Sequence, residues 1–236
     1  PGNQELKILP IDSSLFHIMQ LSDYNNVLIG NGLPYCNLFG DQLTYGKSYP
    51  SYSRMSEVLP VPFSTLLFIK YRQHRNDFIN TFSNYMSKIE SFPENTFYFI
   101  HFLSPHEPYV FNSRGPINRY WEYILKGGAY NCKENYIEQL RYDDKKVGEI
   151  IKKLKETKLY DRSLIIITSD THHPVGRHYQ QSLTGKSYSV TKVPLFIKAP
   201  FQNEKYVIKN RVNTINMNKL LLKFLQSNVI DIKQLE

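Results

Sequence analysis

The sequence predicts an α/β fold, a mostly parallel sheet flanked by helices, and three observations carry that expectation. Two short runs, residues 96–103 (TFYFIHFL) and 163–169 (SLIIITS), are apolar almost throughout, as strands covered on both faces are. Each follows a segment with helical periodicity. Each is followed at once by a polar segment carrying histidine, and in parallel α/β sheets ligands bind outside the carboxyl ends of the strands.

Residues 12–21 (DSSLFHIMQL) start the order as a helix, with Asp12 or Ser13 able to cap it and Leu15, Ile18 and Met19 on one face. Residues 24–30 (YNNVLIG) make a short buried strand. Residues 31–66 are rich in Gly, Pro, Ser and Tyr, without a clear period, and read as long surface loops around a site or partner face. Helical spacing returns over 77–89 through Phe78, Ile79, Phe82, Tyr85, Met86 and Ile89, and Pro93 ends it. The strongest helix spans 133–158, with Ile137, Leu140, Val147, Ile150, Ile151 and Leu154 as its buried stripe. Residues 192–198 (KVPLFIK) make a further strand and 216–225 a last amphipathic helix. The 236 residues are expected to form one domain with a sizeable core.

With 29 Lys+Arg against 21 Asp+Glu, the net charge is +8. The cations are scattered, with the densest pairs, Lys145-Lys146 and Lys152-Lys153, on a helix surface, and no zinc-finger or RNA-binding signature accompanies them. Nucleic acid is therefore not expected as a partner. The field favours anionic partners, phospholipid headgroups among them. No apolar run approaches the roughly 20 residues of a membrane helix, so membrane attachment is expected only through segments outside this chain. Cys36 and Cys132 are too few to fix a redox compartment.

Of the seven histidines, His106, His172, His173 and His178 lie in the two loops that follow apolar strands. His101, inside the first strand, reads as a packed, hydrogen-bonded residue. His17 and His74 read as structural or exposed. Asp170 and His172 offer a carboxylate and an imidazole just beyond a strand end. That pair suits Zn²⁺ or Mn²⁺, and a more oxygen-rich set suits Ca²⁺ or Mg²⁺; the alternative is an Asp that caps the next turn. His106, between Pro105 and Pro108, either touches an anionic group or is a turn histidine bonded to backbone.

The segment TFYFIHFLSPHEPYVFNSRG resembles the strand and His-containing loop of sulfatase-like hydrolases in the alkaline phosphatase superfamily. NYIEQLRYDDKKVGEIIKKLKETKLYDRSLIIITSD resembles that family's long helix, its Leu-Tyr-Asp-x-Ser turn and the strand delivering a metal-binding Asp. VTKVPLFIKAP is similar to its later Val-Pro-Leu-x-Ile-x-x-Pro strand, and residues 213–225 to its closing helix. Upstream, SSLFHIMQLSDYNNVLIGN resembles a helix and the Gly-Tyr-x-Thr strand.

The resemblance implies a divalent metal (Ca, Mn or Zn) on Asp170, with His172 as second ligand, and His106 in contact with sulfate or phosphate. It implies that His178 and Lys186 contact substrate or stabilise the charge that transfer loads onto peripheral oxygens. The family usually reads Ser-Asp-His-Gly where this chain reads Ser169-Asp170-Thr171-His172, so the imidazole stands one residue later. Family members carry further metal-binding carboxylates and a Cys, Ser or Thr nucleophile upstream of the region resembled here. The expectation is thus the C-terminal portion of a sulfatase-like domain without its N-terminal strand and nucleophile helix. The function implied is a sulfatase-like hydrolase or phospho-headgroup transferase acting on sulfate or phosphate esters of glycans or lipid headgroups, on the extracytoplasmic face of the membrane or cell envelope. The alternative is a catalytically degenerate member that binds glycan or another envelope component.

Overall fold

The computed structural model describes residues 14–49, 63–92, 95–117, 133–170, 193–209, 211–213 and 217–227. The chain forms two compact units interleaved in sequence, Pro1–Ser51 with Ile79–Phe102, and Tyr52–Phe78 with Leu103–Glu236.

The first unit is built on a three-stranded parallel sheet. β1 (Asn25–Asn31) is central, with β2 (Tyr45–Tyr49) and β3 (Thr96–His101) on either side, both parallel to it. In the register, Leu28 stands opposite Gly46 on one side and Phe99 on the other. The central position explains why Val27, Leu28 and Ile29 are fully buried, while the β3 residues are half-buried. The sheet is flanked by helices, as expected. Helix α1 (Leu15–Leu21) sets Phe16 against Phe97 and Phe99, with ring centroids 5.7 and 5.5 Å apart. Tyr98 points to the other face. There it meets Tyr85 of α3 (Phe63–Lys88) and donates its hydroxyl proton to the Lys88 and Ile89 carbonyls. Asn26 pins the unit, its Nδ2 donating to the carbonyls of Phe16 (2.7 Å) and Gln42 (2.8 Å).

Several expectations are corrected here. The cap of α1 is Ser14, whose Oγ accepts from His17 N–H (3.1 Å); Asp12 and Ser13 lie outside the described residues. The stretch read as loops over 31–66 contains α2 (Tyr35–Phe39), a 3-10 turn (Gly40–Gln42), β2 and the start of α3. β2 (YGKSY) has no apolar period, and its ladder with β1 makes it a strand. A Cβ on Gly46 would come within 2.8 Å of Leu43 Cδ1 and 3.0 Å of Cys36 Sγ, so a larger residue here would push these two side chains aside. Helix α3 starts fourteen residues before the expected 77, because the polar run through Gln73, His74 and Arg75 continues the helix rather than breaking it. Phe78, Phe82 and Tyr85 on this helix and Ile89 just past its end are buried, but Ile79 is exposed.

The second unit holds the first part of α3 and a two-stranded hairpin of β4 (Phe111–Asn112) and β5 (Gly115–Pro116). It also holds α4 (Lys133–Glu156), the pair β6 (Ile165–Thr168) and β7 (Leu195–Lys198), and α5 (Met217–Ser227). β6 and β7 run antiparallel, in contrast to the first unit's sheet. The turn after α4 is fixed by Lys198, whose Nζ donates to the carbonyls of Tyr160, Asp161 (2.7 Å) and Ser163 (3.2 Å). Lys158 supplies the left-handed residue (φ 60°) that ends the helix. No described helix is long and apolar enough to cross a membrane.

Candidate functional site

Among the described residues, a packed cluster of polar and titratable side chains lies in the second unit, on the segment 104–117 and the parts of α3 and α4 that meet it. Its core is aromatic. Phe111 stacks on Tyr142 of α4 at 4.3 Å and 5°, and Phe78 of α3 packs against both rings at 5.0 and 5.7 Å. Tyr71 of α3 donates to the Ile117 carbonyl (2.8 Å) and closes the far end of the segment.

Helix α4 holds the segment by side chains one turn apart. Gln139 is fully buried; its Oε1 accepts from the amides of Val110 (2.7 Å) and Phe111 (3.2 Å), and its Nε2 donates to the His106 carbonyl (3.3 Å). Asp143 accepts the Ser104 hydroxyl, with both carboxylate oxygens at 2.8 Å. Residues i and i+4 share a helix face, so one face of α4 grips the loop on both sides of His106. Glu138 accepts from Ser113 N–H (3.0 Å), and Lys145 donates to the Ser113 carbonyl. The Ser113 bonds, helped by Arg141, hold the Glu138 carboxyl down to about 2.

His106 itself is exposed, in a turn closed by its own N–H on the Leu103 carbonyl (2.8 Å), with cis peptide bonds before Pro105 and Pro108. Its Nδ1 lies 2.6 Å from the Glu107 carbonyl and therefore carries a proton there. That contact is the one a backbone-bonded turn histidine makes, and it leaves the ring's other nitrogen, Nε2, as the second polar atom of the side chain.

Buried beside this loop is His74 of α3, 8% exposed. Burial, reinforced by His106, pushes its imidazole down to about 4, against a hydrogen bond to the His106 backbone. Nε2 of His74 has no hydrogen-bond partner among the described residues. Burial pushes the Asp143 carboxyl up to about 7, with the Ser104 bond pulling the other way. Asp77, also buried, is raised by burial and receives both Gln73 Nε2 contacts (3.0 and 3.1 Å).

Of the sequence-derived site residues, His106 sits on this fastened loop. Asp170 is exposed, two residues beyond β6, whose last residue Thr168 is tied to the Pro194 carbonyl (2.9 Å). His172, His178 and Lys186, with His173, lie outside the described residues. His101 is packed as expected, its Nδ1 3.1 Å from the Asn31 carbonyl and its ring edge-on to Tyr35, though half-buried.

The divalent metal implied by the resemblance needs several convergent donors. Among the described residues no three His, Cys, Asp or Glu side chains come together to hold one. The described residues alone do not supply its donor set.

Sequence spacing gives no role to Gln139 or Asp143, and it reads His74 as structural or exposed, of which the structure shows the buried case. A signal was present: the apolar stripe of α4 is interrupted for six residues between Leu140 and Val147. Gln139 and Tyr142 are buried on that part of the helix, whereas Leu140, expected in the core, is 45% exposed.

No curated protein matches the chain. Among solved structures it is similar to a phosphonate monoester hydrolase of Agrobacterium radiobacter, with TM-score 0.44 and 16% identity, over 78% of this chain and 52% of that one. The chain thus spans about half the length of the solved protein it matches. A family model described as Sulfatase matches residues 8–227, nearly the whole chain, and the chain belongs to the sulfatase family.

Proposed function

We propose that the protein is a hydrolase of sulfate or phosphate esters and that His106 contacts the anionic group of the substrate. Family membership supports the reaction class. The observation that carries the role of His106 is an exposed imidazole on a loop held at its own carbonyl and on both sides. An imidazole N–H can donate to a peripheral oxygen, where charge builds during transfer at sulfur or phosphorus, and the bond is charge-assisted when the ring is protonated. The same reading assigns Asp170 and His172 to a divalent cation (Ca, Mn or Zn), and His178 and Lys186 to charge stabilisation. A glycan or lipid-headgroup ester as substrate, transfer to an acceptor hydroxyl, and a place on the outer face of the membrane or in the envelope belong to this proposal too.

The test is turnover by the full-length protein, with each of the three cations added in turn. Nitrophenyl sulfate, nitrophenyl phosphate and bis-nitrophenyl phosphate are the probes. The reading expects hydrolysis of at least one, and at least a tenfold loss of kcat/KM in His106→Ala, about 1.4 kcal/mol of transition-state stabilisation. A second reading, a glycan-binding member without turnover, draws support from Thr171 at the position usually held by histidine. It expects no hydrolysis of any probe, but retention of the protein on a sulfated glycan column.

A further inference from the structure

We infer that Gln139 and Asp143 are positioning residues for His106: α4 sets the place of that imidazole through its grip on the loop that carries it. The inference rests on the proposed role of His106. The contacts single out these two side chains. Gln139 reaches the loop at three backbone points, the His106 carbonyl and the Val110 and Phe111 amides, and is fully buried while doing so. Asp143, one turn on, takes the hydroxyl of Ser104, two residues before His106. The loop is therefore clamped before, at and after the exposed histidine by one helix face. A buried amide whose three hydrogen bonds all go to one loop is costly to replace, since each unmet partner loses its own compensation. Such a clamp fits a group that must hold an oxygen within a few tenths of an ångström, because a misplacement of about 1 Å costs up to roughly a hundredfold in rate.

The experiment is a set of double-mutant cycles on the full-length protein, with kcat and KM for the best ester probe as readout. Gln139→Met, Ser104→Ala and Asp143→Ala are each made alone and with His106→Ala, and Asp143→Asn serves as the conservative variant, since its amide oxygen still accepts from Ser104. The expected result is a loss of about tenfold in kcat/KM for each of the three, shrinking to less than about twofold when His106 is already alanine. Asp143→Asn is expected within about twofold of the parent, because the bond to Ser104 survives. Ser104→Ala removes only one hydroxyl, and it keeps the test open should Gln139→Met not fold. Two outcomes overturn the inference: losses that multiply in full with that of His106→Ala, which mark a general structural role, or no loss at all. If His106→Ala itself changes nothing, the proposed role of His106 fails and the positioning role with it. If His106→Ala is damaging but the cycles show independence, only the positioning role fails.

Discussion

The Gln139 carboxamide is bonded at both ends to the loop that carries His106: its oxygen takes the Val110 amide at 2.7 Å and its nitrogen gives to the His106 carbonyl at 3.3 Å. The residue beside it on α4, Leu140, faces solvent. A polar side chain thus occupies the buried position that hydrophobicity alone assigns to leucine.

That inversion has a stability consequence. Gln139→Met fills the same volume but leaves buried amides without acceptors, and is expected to cost about 3 kcal/mol. Leu140→Ala is expected to stay within about 0.5 kcal/mol of the parent. Urea unfolding midpoints at constant slope measure both; a larger loss for Leu140→Ala would reverse the assignment of faces.

The pH dependence of stability follows from two desolvated groups with opposite signs, buried His74 and half-buried Asp143. Native His74 titrates near 4 rather than 6.5, so between those values the unfolded chain holds more protons and stability rises with pH. Native Asp143 titrates near 7 rather than 3.8, so its contribution is full below 3.8 and is lost as pH rises through 7. Relative to the parent, His74→Gln should therefore have a melting temperature that falls more steeply from pH 4 to 6.5, and Asp143→Asn one that climbs. Parallel curves for all three proteins would contradict both burial effects.

The stacked pair Phe111 and Tyr142 ties β4 to α4. A double-mutant cycle to alanine should show a coupling of about 1 kcal/mol beyond lost area. Phe111→Ala alone should cost about 3–5 kcal/mol, as large aromatic truncations in cores do. A coupling near zero would mean that the rings do not meet.

If Asp170 ligates a divalent cation, protein freed of metal by dialysis should take up Mn²⁺, Zn²⁺ or Ca²⁺ stoichiometrically, and Asp170→Ala should not. Equal uptake by both would remove Asp170 from the ligand set.

Much of the fold was legible because burial left a pattern in the sequence. Helix α4 shows its period, the central strand 25–31 and the β6 run stand out as continuous apolar stretches, and the elements lie within a few residues of expectation. β2 was not legible, since an edge strand of Tyr, Gly, Lys and Ser is specified by its partner β1 and not by its own pattern. The first turns of α3 were hidden by polar residues, of which His74 turns out to be buried. At the site, His106 stood out through its neighbouring prolines. The residues that fix it did not, because Gln139 and Asp143 act on groups 28 to 39 residues away in the chain, and the break in the α4 stripe does not say which segment they meet.

The central claim is that His106 meets an anion, and anion-dependent thermal stability tests it most directly. Sulfate and phosphate, titrated at fixed ionic strength, should raise the melting temperature of the parent. They should act at roughly tenfold higher concentration, or not at all, on His106→Ala, as loss of a charged hydrogen bond worth about 1.5 kcal/mol requires. Equal shifts in parent and variant would contradict the account.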